Sequence, residues 1–76
     1  MTEEFLYDVS RELRRKAIAG RIADEFPRSA PRIESALAAG RRVFFDIEEE
    51  QFFVEAPVDR VFRDFHTGRP IGAQRL

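Results

Sequence analysis

The chain has 76 residues, 43% of them apolar and 36% charged, with thirteen Lys plus Arg against fourteen Asp plus Glu for a formal charge of −1. A chain this short makes one small domain, residues 1–76, that buries only about 60% of its unfolded surface, and its composition is that of a folding chain rather than a disordered one. The near-neutral charge excludes a uniformly basic nucleic-acid coat, and the absence of Cys excludes disulfides and thiolate zinc sites.

No apolar run approaches the roughly 20 residues of a membrane span. The start, Met1-Thr2-Glu3-Glu4-Phe5, lacks the basic and apolar regions of a secretory leader. The expectation is a cytoplasmic protein with no membrane partner. Charge is unevenly placed: residues 1–42 hold nine basic and seven acidic side chains, net +2, while residues 43–76 hold four and seven, net −3. Between Asp46 and Asp59 there are six acids and no base.

In chain order, Thr2 is a candidate cap for a first helix with Glu3 and Glu4 in its first turn. Phe5, Leu6, Val9, Leu13 and Ala17 then share one helical stripe. Ile18, Ile22 and Phe26 lie on nearly the opposite side. Two helices, over 3–16 and 18–26, accommodate both stripes if the chain breaks at Ala19-Gly20. The alternative is one continuous helix whose second stripe meets another copy, a homodimer. Pro27 stops the segment, Ser29 caps a third helix over 30–39 with Pro31 in its first turn, and Gly40 terminates it.

Val43-Phe44-Phe45-Asp46-Ile47 and Phe52-Phe53-Val54-Glu55-Ala56 have the β-branched and aromatic enrichment of strands, joined by Glu48-Glu49-Glu50-Gln51 as a hairpin loop. The expected register sets Ile47 opposite Phe52 and Phe45 opposite Val54. One face is then apolar, and the other carries Phe44, Asp46, Phe53 and Glu55. Pro57 opens a final segment in which Val58, Val61, Phe62 and Phe65 have helical spacing, ended by Gly68 and Pro70. Residues 71–76 fray or add an edge strand. The fold class expected is therefore α+β: a helical N-terminal half of two or three helices, an antiparallel β-hairpin and a short C-terminal helix.

Enzyme signatures are missing. There is one histidine, His66, placed at a helix end with no second assembled group. There is no phosphate-binding glycine loop and no nucleophile elbow. Asp46-Ile47-Glu48-Glu49-Glu50 lacks the length and central glycine of a calcium loop. Neither metal nor cofactor is expected, and the expected mode of action is binding.

Ile22-Ala23-Asp24-Glu25-Phe26-Pro27-Arg28-Ser29-Ala30-Pro31-Arg32-Ile33-Glu34-Ser35-Ala36-Leu37 resembles the helix-turn-helix of bacterial repressors over about residues 19–38. Ile22, Ala23 and Phe26 match the buried positions of the first helix, Ser29 the cap of the recognition helix, and Ile33, Ala36 and Leu37 its inward side. The chain departs from that pattern in having Pro27 at the turn glycine and Arg28 at the next apolar position. The resemblance implies a winged-helix-like DNA-binding regulator in which Arg28, Arg32, Ser35 and Arg42 face DNA, Arg being the favoured partner of guanine. Glu48, Glu49 and Glu50 at the wing tip would repel phosphates.

The leading expectation is a small protein-interaction module. An exposed Phe44 and Phe53 bordered by Asp46, Glu48, Glu49, Glu50 and Glu55 has the anatomy of a docking patch, an apolar centre with a charged edge, the alternative being that Val58, Val61, Phe62 and Phe65 of the last helix cover this face. Its natural partner is a basic protein surface, such as a nucleic-acid-binding groove whose phosphates the carboxylates imitate. In size and composition alone the chain is similar to phage-encoded inhibitors, anti-CRISPR proteins among them, and no site residue follows from that similarity.

Overall fold

Phe5–Asp8 is a strand, β1, where a helix was expected. The helical spacing that joined Phe5 and Leu6 to Val9 and Leu13 spans two elements. The Asp8 carboxylate accepts the Ser10 N–H at 3.0 Å, and α1 begins there, running Ser10–Ile18. The computed structural model describes residues 4–57 and 61–76, so Thr2 and Glu3 of the expected first turn lie outside the described residues. After α1 come α2 (Ile22–Glu25), α3 (Ala30–Ala38), β2 (Val43–Asp46), β3 (Gln51–Glu55), β4 (Val61–Asp64) and β5 (Pro70–Arg75).

The five strands close into a barrel in the order β1-β2-β3-β5-β4. β1 runs antiparallel to β2 and parallel to β4, and every other pair is antiparallel. The expected helical half with an appended hairpin and C-terminal helix is thus replaced by a barrel that carries the three helices as one insertion between β1 and β2. Closure leaves the hairpin without a free edge, since β2 also pairs with β1 and β3 with β5. It is therefore no protruding wing.

Two apolar clusters result. Leu6, Phe44, Phe53, Phe62, Ile71 and Ala73 fill the barrel interior. On the outer side, Leu13, Ile22, Ala30, Ile33 and Ala36 of the helices pack on Val43, Phe52 and Val54. β2 and β3 are thus buried on both faces, which explains their near-continuous apolar runs. Ile22 and Phe26 belong to this outer core rather than to a dimer interface, and only Ile18 of that stripe remains outside, 89% exposed.

The hairpin register sets Phe44 opposite Phe53, Phe45 opposite Phe52 and Asp46 opposite Gln51, displaced by two residues from the expected pairing. An even displacement keeps each side chain on its expected face. The cause is Asp46, whose Oδ1 accepts the N–H groups of Glu48 (2.9 Å) and Glu49 (3.3 Å) and ends the strand early. Gln51 consequently joins β3, and Glu50 takes a left-handed φ of 52° to complete the turn. Asp64 repeats the device between β4 and β5, accepting from His66 (2.7 Å) and Thr67 (3.2 Å).

The helical spacing of Val61, Phe62 and Phe65 resolves into strand alternation followed by a turn. Phe62 points into the barrel, its ring centroid 4.9 Å from that of Phe53, while Val61 faces out. Val58 and Asp59 lie outside the described residues. Residues 70–75 form β5 between β3 and β4, not a sheet edge.

Gly20 (φ 69°) and Gly40 (φ 73°) end α1 and α3 in the left-handed conformation that glycine adopts without penalty. The insertion is fastened to the barrel by Ser10, a buried residue. Its Oγ donates to the Val43 carbonyl at 3.3 Å and accepts the Val43 N–H at 2.8 Å.

These contacts set the expected stabilities. Phe44→Ala or Phe53→Ala should cost about 3–5 kcal/mol, as a cavity at a site enclosed on all sides. Phe65→Ala should cost about 1 kcal/mol, the scale of one exposed ring pair. Ser10→Ala should cost about 1–3 kcal/mol because it strands the buried Val43 N–H. Urea unfolding midpoints of the variants check all of these.

Candidate functional site

The alternation of β1 places Leu6 in the barrel and Phe5 and Tyr7 on its outer surface, away from the helices. Phe65, in the β4–β5 turn, folds back onto them. Its ring stacks on Tyr7 at 4.2 Å between centroids and meets Phe5 edge-on at 6.5 Å. His66 extends the group, 5.9 Å from Tyr7 and 5.6 Å from Phe65, each edge-on. Phe5 is 44% exposed, Phe65 52% and neighbouring Ile47 56%. Large apolar side chains do not gather at a surface in this way without loss of hydrophobic free energy, so the gathering marks a candidate interaction site.

Carboxylates border it. Glu4, Asp46 and Glu48 line, with Phe5, Ile47 and Phe65, a shallow concavity of about 250 Å³. Carboxylate oxygens of Glu4, Asp46 and Glu49 all lie within 4.8 Å of one another. That spacing could admit a cation, but Asp46 Oδ1 already accepts two backbone N–H groups and Glu49 pairs with Arg75 at 3.2 Å. Arg63 adjoins Phe5 across the β1–β4 ladder, with its guanidinium donating to the Gly68 carbonyl at 2.8 Å.

The structure divides the acidic, aromatic set expected of the hairpin. Phe44 and Phe53 are fully enclosed in the barrel, and Asp46 is buried as the turn-forming residue. These three cannot form an exposed docking centre, because both faces of β2 and β3 are covered. Glu48 and Glu49 remain at the surface beside the aromatic group. Glu50 is exposed on the side of the turn that borders Arg28 and Phe26. Glu55 sits at the far end of β3 in an ion pair with Arg42 at 3.0 Å.

Of the set expected to face DNA, Arg28, Arg32 and Ser35 are on α3 or the turn before it, with Arg28 and Arg32 exposed. Arg42 is tied to Glu55 and lies over the Phe44 ring at 5.2 Å. α2 is a single turn of four residues rather than a full first helix of a helix-turn-helix. On α1, Arg11, Arg14, Arg15 and Lys16 form a run of basic residues, of which only Lys16 has an ion-pair partner among the described residues, Glu25 at 2.6 Å.

Topology sharpens the charge asymmetry. The inserted segment 10–42 carries nine basic and four acidic side chains, net +5, and the rest of the chain four and ten, net −6. The aromatic site therefore lies on the acidic component of the molecule.

Phe5, Tyr7, Ile47 and Phe65 are the site residues that sequence reasoning missed: Phe5 and Phe65 were assigned to helical stripes, Ile47 to the apolar face of the hairpin, and Tyr7 was given no role within the expected first helix. The available signal was Phe5-Leu6-Tyr7, a β-favouring triplet before Asp8. Comparison with protein-family models, curated proteins and solved structures returns no match for this chain.

Two measurements test this electrostatic and turn geometry. Asp46→Ala should destabilise by about 1–3 kcal/mol through loss of the paired acceptor, and Asp46→Asn, which keeps a side-chain oxygen, by less. The hydrogen bond from Lys16 holds the Glu25 carboxyl below its ordinary value, helped by charge attraction from Lys16 and Arg21. The stability this contributes is present above the unfolded-state pKa of Glu25 and is lost as pH falls through the lower folded value. In a carbon-13 carboxyl titration, Lys16→Ala should move the Glu25 midpoint upward.

Proposed function

We propose that this protein is a non-catalytic interaction module, acting in the cytoplasm, that docks the carboxylate-rimmed aromatic site of β1 and the β4–β5 turn onto a basic surface of another protein. The observation that carries the reading is the packed group of exposed Phe5 and Phe65 with half-buried Tyr7, beside Glu4 and Glu48 on the acidic part of the chain. Exposed aromatic anchors supply affinity by burying area at low entropic cost, and the charged rim excludes wrong partners and speeds encounter. A partner groove that ordinarily holds nucleic acid fits both properties. Its Arg and Lys side chains would meet carboxylates in place of phosphates, and its apolar floor would meet the rings. Blocking such a groove is the mode of action this reading assigns.

DNA binding by the helical segment is the second reading, favoured by its charge of +5, nine basic side chains less four acidic. Against it stand the closed hairpin, the one-turn α2 and the engagement of Arg42 with Glu55.

A fluorescein-labelled peptide of alternating Arg and Leu residues serves as a probe of the docking reading. Phe5→Ala with Phe65→Ala should weaken its binding by about tenfold or more, the scale of a hot-spot pair. Glu48→Lys should weaken it and flatten its salt dependence. Unchanged affinity in the double variant, with circular dichroism showing an intact fold, would contradict the docking reading.

A further inference from the structure

Arg11, Arg14, Arg15 and Ile18 follow one another at i, i+3, i+4 and i+7, so they share one face of α1, opposite the buried Leu13. All four are exposed, Ile18 by 89%. None of the three guanidinium groups has a hydrogen-bond or ion-pair partner among the described residues.

The helix itself does not account for this face. Like charges at three- and four-residue spacing repel one another. Arg11 stands in the first turn of α1, where the helix dipole disfavours a cation. At the other end of the face, Ile18 is left to water although Leu13 of the same helix is buried. An apolar side chain aligned with three uncompensated cations is one half of an interface, apolar contact with a charged border.

The other half is present on the same chain. The concavity of about 250 Å³ between Phe5, Ile47 and Phe65 has an apolar lining and carries Glu4, Asp46 and Glu48 beside it. The Glu48 carboxylate has no ion-pair partner among the described residues. The insertion that contains α1 is net +5 and the remainder net −6, so the whole chain is only −1. Two copies therefore repel each other little overall, while their unlike faces attract.

We propose that the α1 face docks on the aromatic site of a second copy of this chain. Ile18 enters the concavity between Phe5, Ile47 and Phe65, and Arg14 and Arg15, one turn back along the helix, meet the carboxylates beside it. Self-association then covers the aromatic site until a stronger basic partner displaces the second copy. That pairing rests on the docking reading in one respect: the aromatic site receives a basic surface.

Sedimentation velocity of the full chain, over a range of concentrations at low and high salt, tests it. The unmodified chain should associate as concentration rises, and salt should weaken the association. Reversing the α1 charges with Arg11→Glu, Arg14→Glu and Arg15→Glu should weaken it about tenfold or more, the scale of losing an interface hot spot. Ile18→Ser should weaken it with the charge unchanged. Arg28→Glu with Arg41→Glu, at exposed basic positions of the insertion away from this face, should have little effect.

The decisive sample mixes the α1 triple variant with the Phe5→Ala, Phe65→Ala variant. Each is defective alone, but together they retain one intact pair of unlike faces, so the mixture should associate where neither component does. A mixture that stays monomeric overturns the proposal, as does an unmodified chain that is monomeric at low salt. Equal weakening by the Arg28 and Arg41 changes reduces the effect to general charge attraction and overturns it too. The Arg–Leu peptide separates this pairing from the docking reading. A monomeric chain that binds the peptide through Phe5 and Phe65 loses the self-association and keeps the docking site. With self-association correct, the α1 triple variant should bind the peptide at least as tightly as the unmodified chain, because its aromatic site is uncovered.

Discussion

The parallel pairing of β1 with β4 is the constraint on which the rest of this structure depends. It joins Phe5 and Leu6 to Arg63 and Asp64, residues more than fifty positions away in the sequence, and converts a sheet with two edges into a closed barrel. A parallel neighbour cannot be reached by a tight turn and requires a long connection. Here the connection contains all three helices and the β2–β3 hairpin. Closure also removes the exposed strand edges that would otherwise invite association with other chains. It fixes which aromatic rings are structural: Phe44, Phe53 and Phe62 fill the interior, and Phe5 and Phe65 are left outside.

A small domain gains from this arrangement because β2 and β3 support two apolar clusters at once. Their inward side chains complete the barrel core, and their outward ones complete the core under the helices. The helices in turn cover only that side, so the outer face of β1 and the β4–β5 turn is left to solvent. Placing the basic residues on the insertion and the acidic ones on the barrel gives the two faces different chemistry.

Much of the local structure was legible in the sequence. Pro27, Ser29 and Gly40 punctuate α3, and the Val43–Asp46 and Phe52–Glu55 runs have the character of strands. The assignment of side chains to hairpin faces was also legible, because the alternation survives an even shift in register. Illegible were the partners. A hairpin buried on both faces and one buried on a single face differ only in what packs against them, and Phe44 and Phe53 therefore passed for a surface pair. Phe5 and Leu6 happened to fall on the helical phase of Val9 and Leu13, although Asp8 separates strand from helix by accepting the Ser10 N–H. Val61, Phe62 and Phe65 satisfied helical spacing by the same kind of coincidence. In each case long-range pairing overrode local periodicity. The candidate site was missed for that reason, since its rings come from β1 and the β4–β5 turn, two segments assigned to helices.

Solvent access of the individual phenylalanine rings tests the barrel most directly. In a uniformly folded sample with carbon-13-labelled Phe, a soluble gadolinium chelate should broaden the ring signals of Phe5 and Phe65 and leave those of Phe44, Phe53 and Phe62 sharp. Strong broadening of Phe44 and Phe53, with Phe5 and Phe65 protected, would contradict the closed barrel and the placement of the interaction site on its outer face.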